Sequence, residues 1–178
     1  QKQHIELTRT LAERFNRKFG QTFVIPEAYI KKESENIMGL DNPAKKMSKS
    51  ATSEYNYISL TDDAETVRRK IKKAVTDSGA EIIYSEQKPA LKNLINIYSL
   101  LAAETPKEIE KMYAQKGYAD FKKDLAETII AFLAPFQEKM HSLSDEAVLE
   151  ILKEGAERVR PIAQKKLQEV KEKVGFVI

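Results

Sequence analysis

The chain has 178 residues, 42% of them hydrophobic and 32% charged, enough for one or two domains around a sizeable core. It has no cysteine, which excludes a disulfide framework and thiolate zinc sites and fits a reducing compartment. A formal charge of +3 is too small to mark a nucleic-acid binder by itself, and no apolar run approaches the roughly 18 to 20 residues that span a bilayer.

Residues 3–19 have the spacing of a helix. Ile5, Thr8, Leu11, Ala12, Phe15 and Phe19 form one stripe, and Gly20 suits the position just past its end. Thr22 to Ile25 is rich in β-formers and stops at Pro26, so it predicts a short strand at most. Ile37 to Leu40 is a second short apolar run that suits a buried strand without requiring one, and Asp41-Asn42-Pro43 predicts a turn.

From residue 61 the pattern is helical. Thr61 or Asp62 is placed to cap a helix through about residue 77, with Ala64, Val67, Ile71, Ala74 and Val75 on its apolar side. Glu65, Arg68, Arg69, Lys72 and Lys73 lie opposite. Pro89 opens the next helix, whose buried face is Leu91, Leu94, Ile95, Tyr98, Leu101 and Ala102. Thr105-Pro106-Lys107-Glu108 has capping-box form and predicts a short helix to Gln115, broken by Gly117. A longer helix over 119–140 aligns Phe121, Leu125, Ile129, Phe132, Phe136 and Met140, with a kink expected at Pro135. Ser144 caps a last helix carrying Val148, Leu152, Ala156, Val159, Ala163, Val170 and Val174, with a second kink expected at Pro161 and its end at Gly175. The fold expected is mainly α: a small α/β piece over 1–58, then a helical bundle over 59–178.

The most distinctive stretch is Lys45-Lys46-Met47-Ser48-Lys49-Ser50. Three lysines on a short loop make a local cationic point, and serine hydroxyls with turn N–H groups can cradle phosphate oxygens. A solvated basic loop is the other reading of such a run. Lys46-Met47-Ser48-Lys49-Ser50 resembles the KMSKS motif of class I aminoacyl-tRNA synthetases, a string of five fixed letters expected by chance in on the order of one in ten thousand chains of this length. The flanks resemble bacterial tryptophanyl-tRNA synthetases in order along the whole chain. They are Gln1-Lys2-Gln3-His4-Ile5-Glu6-Leu7-Thr8-Arg9, Ile37-Met38-Gly39-Leu40, Pro43-Ala44-Lys45, Ala74-Val75-Thr76-Asp77-Ser78, Lys88-Pro89 with Asn93-Leu94, and Gly117-Tyr118 with Phe121-Lys122. Tyrosyl enzymes, the near alternative, usually have a degenerate loop. A tRNA-binding module without catalysis is the alternative of another class.

The resemblance implies the C-terminal end of a Rossmann-like catalytic domain over 1–58, followed by an α-helical anticodon-binding domain over 59–178. It implies ATP-dependent activation of tryptophan and transfer to tRNA(Trp), in the cytoplasm, with Mg²⁺ accompanying the nucleotide, a homodimer in the complete family, and no membrane. Lys46 and Lys49 would neutralise charge on the leaving pyrophosphate. Ser48 and Ser50 would hold its oxygens, Ile37 would meet the adenine face and Met47 would pack. Arg68, Arg69, Lys72 and Lys73 are the stretch suited to tRNA phosphates, or else a solvated helix face. The family's Pro-Thr-Gly turn, HIGH-like signature and Gly-Asp-Asp-type turn are not found in the 178 residues, and Gln1 aligns just after the last of these, so the segment alone is expected to be inactive. The sequence also departs from the family in having Ala51-Thr52-Ser53 where Asp-Pro-Asn is usual and Asn36 where Arg is common.

Other candidates have bland readings. His4 and His141 stand without companions, and two histidines without cysteine do not suit a transition-metal site. Glu33, Glu35 and Glu54 flank the loop without defining an acid–base pair, and Asp62-Asp63 reads as capping.

Overall fold

The computed structural model describes residues 2–29 and 37–176, and Glu33, Glu35 and Asn36 fall outside them. The described residues are mainly helical. Helix α1 spans Lys2–Phe19, a 3-10 turn Glu54–Asn56, α2 Ala64–Lys73, α3 Pro89–Ala102, α4 Pro106–Met112, α5 Tyr118–His141 and α6 Asp145–Val174. The chain divides into two compact units, one made of 1–30 with 143–178 and the other of 31–142.

In the first unit α1 ends at Gly20, whose φ of 81° is one that L side chains rarely adopt, and of its expected stripe Ala12 is buried, Ile5, Phe15 and Phe19 are half-buried, and Thr8 and Leu11 are exposed. The expected strand at 22–25 does not form. Asn16 occupies the backbone polar groups that a strand partner would take. Its Oδ1 accepts from the N–H of Thr22 and of Phe23, each at 2.9 Å, and its Nδ2 donates to the Phe23 carbonyl at 2.7 Å. Phe23 then folds back on Phe15, ring centroids 5.0 Å apart, and Val24 is left 90% exposed. Lys166 and Lys173 of α6 donate to the carbonyls of Thr22 and Gln21, both at 2.8 Å. Helix α6 starts at Ser144, whose hydroxyl accepts from the Ala147 N–H, and ends at Gly175. It buries none of its residues: Val148, Leu152 and Val159 of the expected stripe are exposed. Helical periodicity reports amphipathicity, and of that stripe Val170 and Val174 near the C-terminal end are half-buried.

The second unit holds the core. Val67 and Ile71 of α2, Leu91, Leu94, Ile95 and Tyr98 of α3, Ile109 of α4, and Phe121, Leu125, Ala126, Ile129 and Leu133 of α5 are buried together with Leu40, Ala74, Ile82 and Tyr113. Three aromatic rings sit at its centre, with Tyr113 edge-on to Phe121 at 5.3 Å and Tyr98 at 5.9 Å from Phe121. The Tyr113 hydroxyl donates to Asp124 at 2.8 Å and lies 3.1 Å from the Tyr98 hydroxyl. Burial and these two bonds push the Tyr113 pKa upward. The buried stretch of α5 stops at Leu133, so Phe132 and Phe136, expected on its core stripe, are exposed at 57% and 45%.

Three helix boundaries differ from expectation. The N-cap of α2 is Asp63, which accepts from the Thr66 N–H at 2.7 Å. Asp62 accepts instead from Lys70 at 2.6 Å. The C-terminus of α2 comes at Lys73 rather than near 77, because the Val75 N–H is taken by the Leu40 carbonyl at 2.8 Å. Helix α4 stops at Met112, although its capping box forms as expected, with Thr105 and Glu108 bonded reciprocally. Pro135 and Pro161 both lie inside continuous helices.

Candidate functional site

The lysine loop is built on a tight turn. Asn42 organises it: its side chain accepts from the Ala44 N–H and its carbonyl from the Lys45 N–H, both at 3.1 Å. Residues 37–40 then return alongside the loop, not as a strand but through one antiparallel bridge between Met38 and Lys46. The Gly39 N–H donates to the Lys45 carbonyl at 2.8 Å, and the Met47 N–H to the Ile37 carbonyl at 3.0 Å. Ile37 is therefore a backbone partner of the loop. Met47 packs against the core, as expected for an apolar residue between charged ones. Lys46, Ser48, Lys49 and Ser50 are exposed on the same short segment.

Beyond Met47 the loop turns on itself. The Ser48 hydroxyl accepts from the Ser50 N–H at 3.2 Å, and the Ser48 carbonyl from the Ala51 N–H at 3.1 Å. The Ser48 N–H donates to Asn56 Oδ1 at 2.9 Å. Ser53 caps the 3-10 turn, its hydroxyl accepting from the Tyr55 N–H at 3.2 Å. Serine and asparagine are both good N-caps, so the departure from Asp-Pro-Asn at this position keeps the capping chemistry. Asp41 accepts from Asn56 Nδ2 at 2.6 Å, and this bond holds its carboxyl below the ordinary aspartate value.

The base of the loop is tied to α3 by Asn93. Its Oδ1 accepts from the Met38 N–H and its Nδ2 donates to the Met38 carbonyl, each at 2.8 Å. Asn93 therefore does for Met38 what a neighbouring strand would do. Asn56 was singled out by no motif or charge pattern, and Asn93 only as part of the Asn93-Leu94 resemblance, with no role given to it. The available signal for Asn93 is a polar residue set among Leu91, Leu94 and Ile95 on an otherwise apolar helix.

This arrangement can present two ammonium groups and two hydroxyls from a loop whose ends are fixed by backbone bonds. The family model for class I tRNA synthetases of the W and Y type matches residues 1–134. The chain belongs to that family. It is 49% identical over its whole length to a tryptophan–tRNA ligase of Caldanaerobacter subterraneus subsp. tengcongensis, of which it covers 55%. Among solved structures, the tryptophanyl-tRNA synthetase of Mycoplasma pneumoniae matches all of this chain with a TM-score of 0.88 and 32% identity, the chain covering 56% of it. The Campylobacter jejuni synthetase complexed with ADP and tryptophan matches 97% of this chain, at 34% identity and a TM-score of 0.65, with 54% of that protein covered. The chain thus spans about half the length of the synthetases it matches.

The second basic cluster of this family member lies on α2 and is only partly free. Arg68 forms a two-pronged pair with Glu127 of α5, at 2.7 and 3.0 Å. Lys73 donates to the Tyr55 hydroxyl at 3.1 Å and lies 4.3 Å from the centre of that ring. Arg69 has a long contact, 3.4 Å, to Thr66. Lys72 forms no ion pair among the described residues. Arg68 and Lys72 line a cavity of about 490 Å³ with Tyr118, Ala119, Lys122, Lys123, Ala126 and Glu127. Lys122 donates to the Ala74 carbonyl at 2.7 Å, and burial lowers its pKa. The cavity wall therefore carries basic side chains around a mostly apolar floor.

The remaining candidates stay as surface or capping groups. His4 and His141 are exposed, Glu54 is exposed in the 3-10 turn, and Asp63 caps α2. No group of three or more His, Cys, Asp or Glu able to hold a metal occurs among the described residues. None of the described helices is long and apolar enough to cross a membrane.

Proposed function

We propose that this chain is the C-terminal part of a tryptophan–tRNA ligase, which activates tryptophan with ATP and transfers it to tRNA(Trp). Residues 1–58 supply the end of a Rossmann-like catalytic domain, and 59–178 an α-helical anticodon-binding domain. The observation that carries the reading is Lys46 and Lys49 exposed on a loop anchored at both ends, within a chain nearly half identical to such a ligase. The intact Lys-Met-Ser-Lys-Ser string favours tryptophan over tyrosine.

In the activation step the tryptophan carboxylate attacks the α-phosphate of ATP, a new C–O–P link forms, and pyrophosphate leaves with the electron pair of the broken P–O bond. The loop acts on the leaving side. Lys46 and Lys49 offset the negative charge that grows there, and the Ser48 and Ser50 hydroxyls donate to its oxygens. A flexible ammonium suits this task because it follows a leaving group without the fixed geometry of a guanidinium. Ile37 meets the adenine face through its backbone, and Met47 anchors the loop to the core. The loop's donors suit phosphate oxygens rather than a cation: the Asp41 carboxylate beside it is already engaged by Asn56. Mg²⁺ therefore belongs with the nucleotide phosphates, where it keeps most of its water.

Arg68, Arg69, Lys72 and Lys73 contact tRNA phosphates, with Lys72 the most available of them. Work as a homodimer in the cytoplasm belongs to the complete ligase.

The test is tryptophan-dependent ATP–pyrophosphate exchange by the complete protein. Exchange should be present, and Lys49→Ala should lower its kcat far more than it raises the KM for tryptophan. Equal losses in both, or exchange driven by tyrosine instead, would defeat the reading. The 178-residue segment alone should show no exchange.

A further inference from the structure

Asn56 is 6% exposed, and its side-chain oxygen, side-chain nitrogen and backbone carbonyl are all used on the loop or its base, while its N–H donates to the Ser53 carbonyl at 3.1 Å. Oδ1 accepts from the Ser48 N–H at 2.9 Å. Nδ2 donates to Asp41 at 2.6 Å. The carbonyl accepts from the N–H of Leu40, a core residue, at 3.0 Å. Ser48 lies between Lys46 and Lys49 in sequence, so the bond to its N–H fixes the backbone from which both ammonium groups extend. On the other side of Ser48 the loop is held only by its own bonds to Ser50 and Ala51. The site is shaped for this side chain: a Cβ at Gly39 would stand 2.1 Å from Asn56 Nδ2.

We propose that Asn56 is the positioning residue of the lysine loop, holding Ser48 so that Lys46 and Lys49 are set for the leaving phosphates, with Asp41 fixing the Asn56 amide in the required orientation. The inference rests on the pyrophosphate role given to those lysines. It also assigns the Ser48 N–H to Asn56 rather than to phosphate. An amide is needed because one face must accept and the other donate. Aspartate at 56 keeps the acceptor toward Ser48 but opposes a carboxylate to Asp41 at hydrogen-bond distance, and Asp41→Asn reverses that conflict by supplying the donor from the other side.

The experiment uses the complete protein and tryptophan-dependent ATP–pyrophosphate exchange. Asn56→Ala and Asn56→Asp should each lower kcat on the order of tenfold or more, the scale expected when reacting groups are slightly misplaced, with the KM for tryptophan unchanged. The exchanged pair Asn56→Asp with Asp41→Asn should recover most of the loss. In a Lys49→Ala background, Asn56→Ala should cost clearly less than in wild type, because the part of its effect that acts through Lys49 is already lost and only the part through Lys46 remains. A normal kcat in Asn56→Ala, or losses that multiply fully with Lys49→Ala, would overturn the proposal. If the Asn56 variants do not fold, Asp41→Ala keeps the Ser48 bond but frees its anchor and must show the same split; a normal kcat there overturns the proposal equally. Wild-type protein without tryptophan-dependent exchange would remove the synthetase reading itself, and this inference with it.

Discussion

Asn93→Ala should destabilise the chain by about 2–4 kcal/mol, on the scale of two polar groups left without partners in a partly buried place. The side chain is 4% exposed and makes two bonds of 2.8 Å to the same backbone residue, Met38, across 55 positions of sequence. Truncation therefore orphans one N–H and one carbonyl together. Met38 is half-buried, so water recovers part of the loss and the figure stays below two full desolvation penalties. The assay is urea unfolding followed by far-ultraviolet circular dichroism. With a slope of about 2 kcal/mol per molar for a chain of this size, the midpoint should fall by about 1–2 M with the slope unchanged. Amide exchange at Met38 should quicken in parallel. Asn93→Asp should be at least as damaging, because it keeps the acceptor but turns the donor into a second acceptor facing the Met38 carbonyl. A midpoint shift in Asn93→Ala worth less than about 0.5 kcal/mol would refute the idea that this pair holds the loop's base, since that is the scatter of an unremarkable surface change.

The Lys70–Asp62 pair should respond asymmetrically. Lys70 is buried and paired at 2.6 Å, so Asp62→Ala, which strands the ammonium, should cost about 3–5 kcal/mol in the same urea assay, while Lys70→Met should cost much less. In tRNA binding by the complete protein, Lys72→Ala should lower the slope of log affinity against log salt by about one, the share of one phosphate contact. Arg68→Ala should change that slope less, because Glu127 already neutralises Arg68. Acid should weaken the second unit through Asp77, whose carboxyl is held below its ordinary value chiefly by the bond from the Tyr118 hydroxyl at 2.6 Å. A depressed folded pKa gives stability that is complete above the ordinary carboxylate range and lost as pH falls through the lower folded value. Thermal melting from pH 6 to pH 2 should therefore show a steeper fall in wild type than in Asp77→Asn.

What the sequence could tell divides along a physical line. Helices were legible wherever the signal was local: the Thr105–Glu108 capping box, Pro89 and Pro106 at helix starts, Gly20 and Gly175 at helix ends, and the Val67–Ile71 and Leu91–Leu94–Ile95–Tyr98 stripes all reappear in the fold. The misses arose where a distant group decides. Helix α2 stops early because the Leu40 carbonyl claims the Val75 N–H, and Thr22 to Ile25 stays out of a sheet because Asn16 takes the strand's bonds. The amphipathic faces of α6 and of the end of α5 could be read, but amphipathicity does not name what covers a face. The lysine loop was legible as a string, since its chemistry lies in the types and order of adjacent residues.

Its supports were not, and the reason is general to this site. Asn56 and Asn93 mean little by type, because a lone asparagine is most often a turn or surface residue. Their roles come from partners 8 and 55 residues away. Both nevertheless carry the same mark in the sequence: Asn93 interrupts an apolar helix face, and Asn56 sits between Tyr55 and Tyr57-Ile58, where a solvated polar residue has no evident reason to be. A buried amide must satisfy an acceptor and a donor at once, so such a position implies backbone or side-chain groups elsewhere that lack regular secondary-structure partners. In this chain those groups are Met38, Ser48 and Asp41. The two asparagines point at the loop because an irregular loop on a helical scaffold is where unpaired backbone groups collect, and the lysines extend from a backbone that these two amides hold.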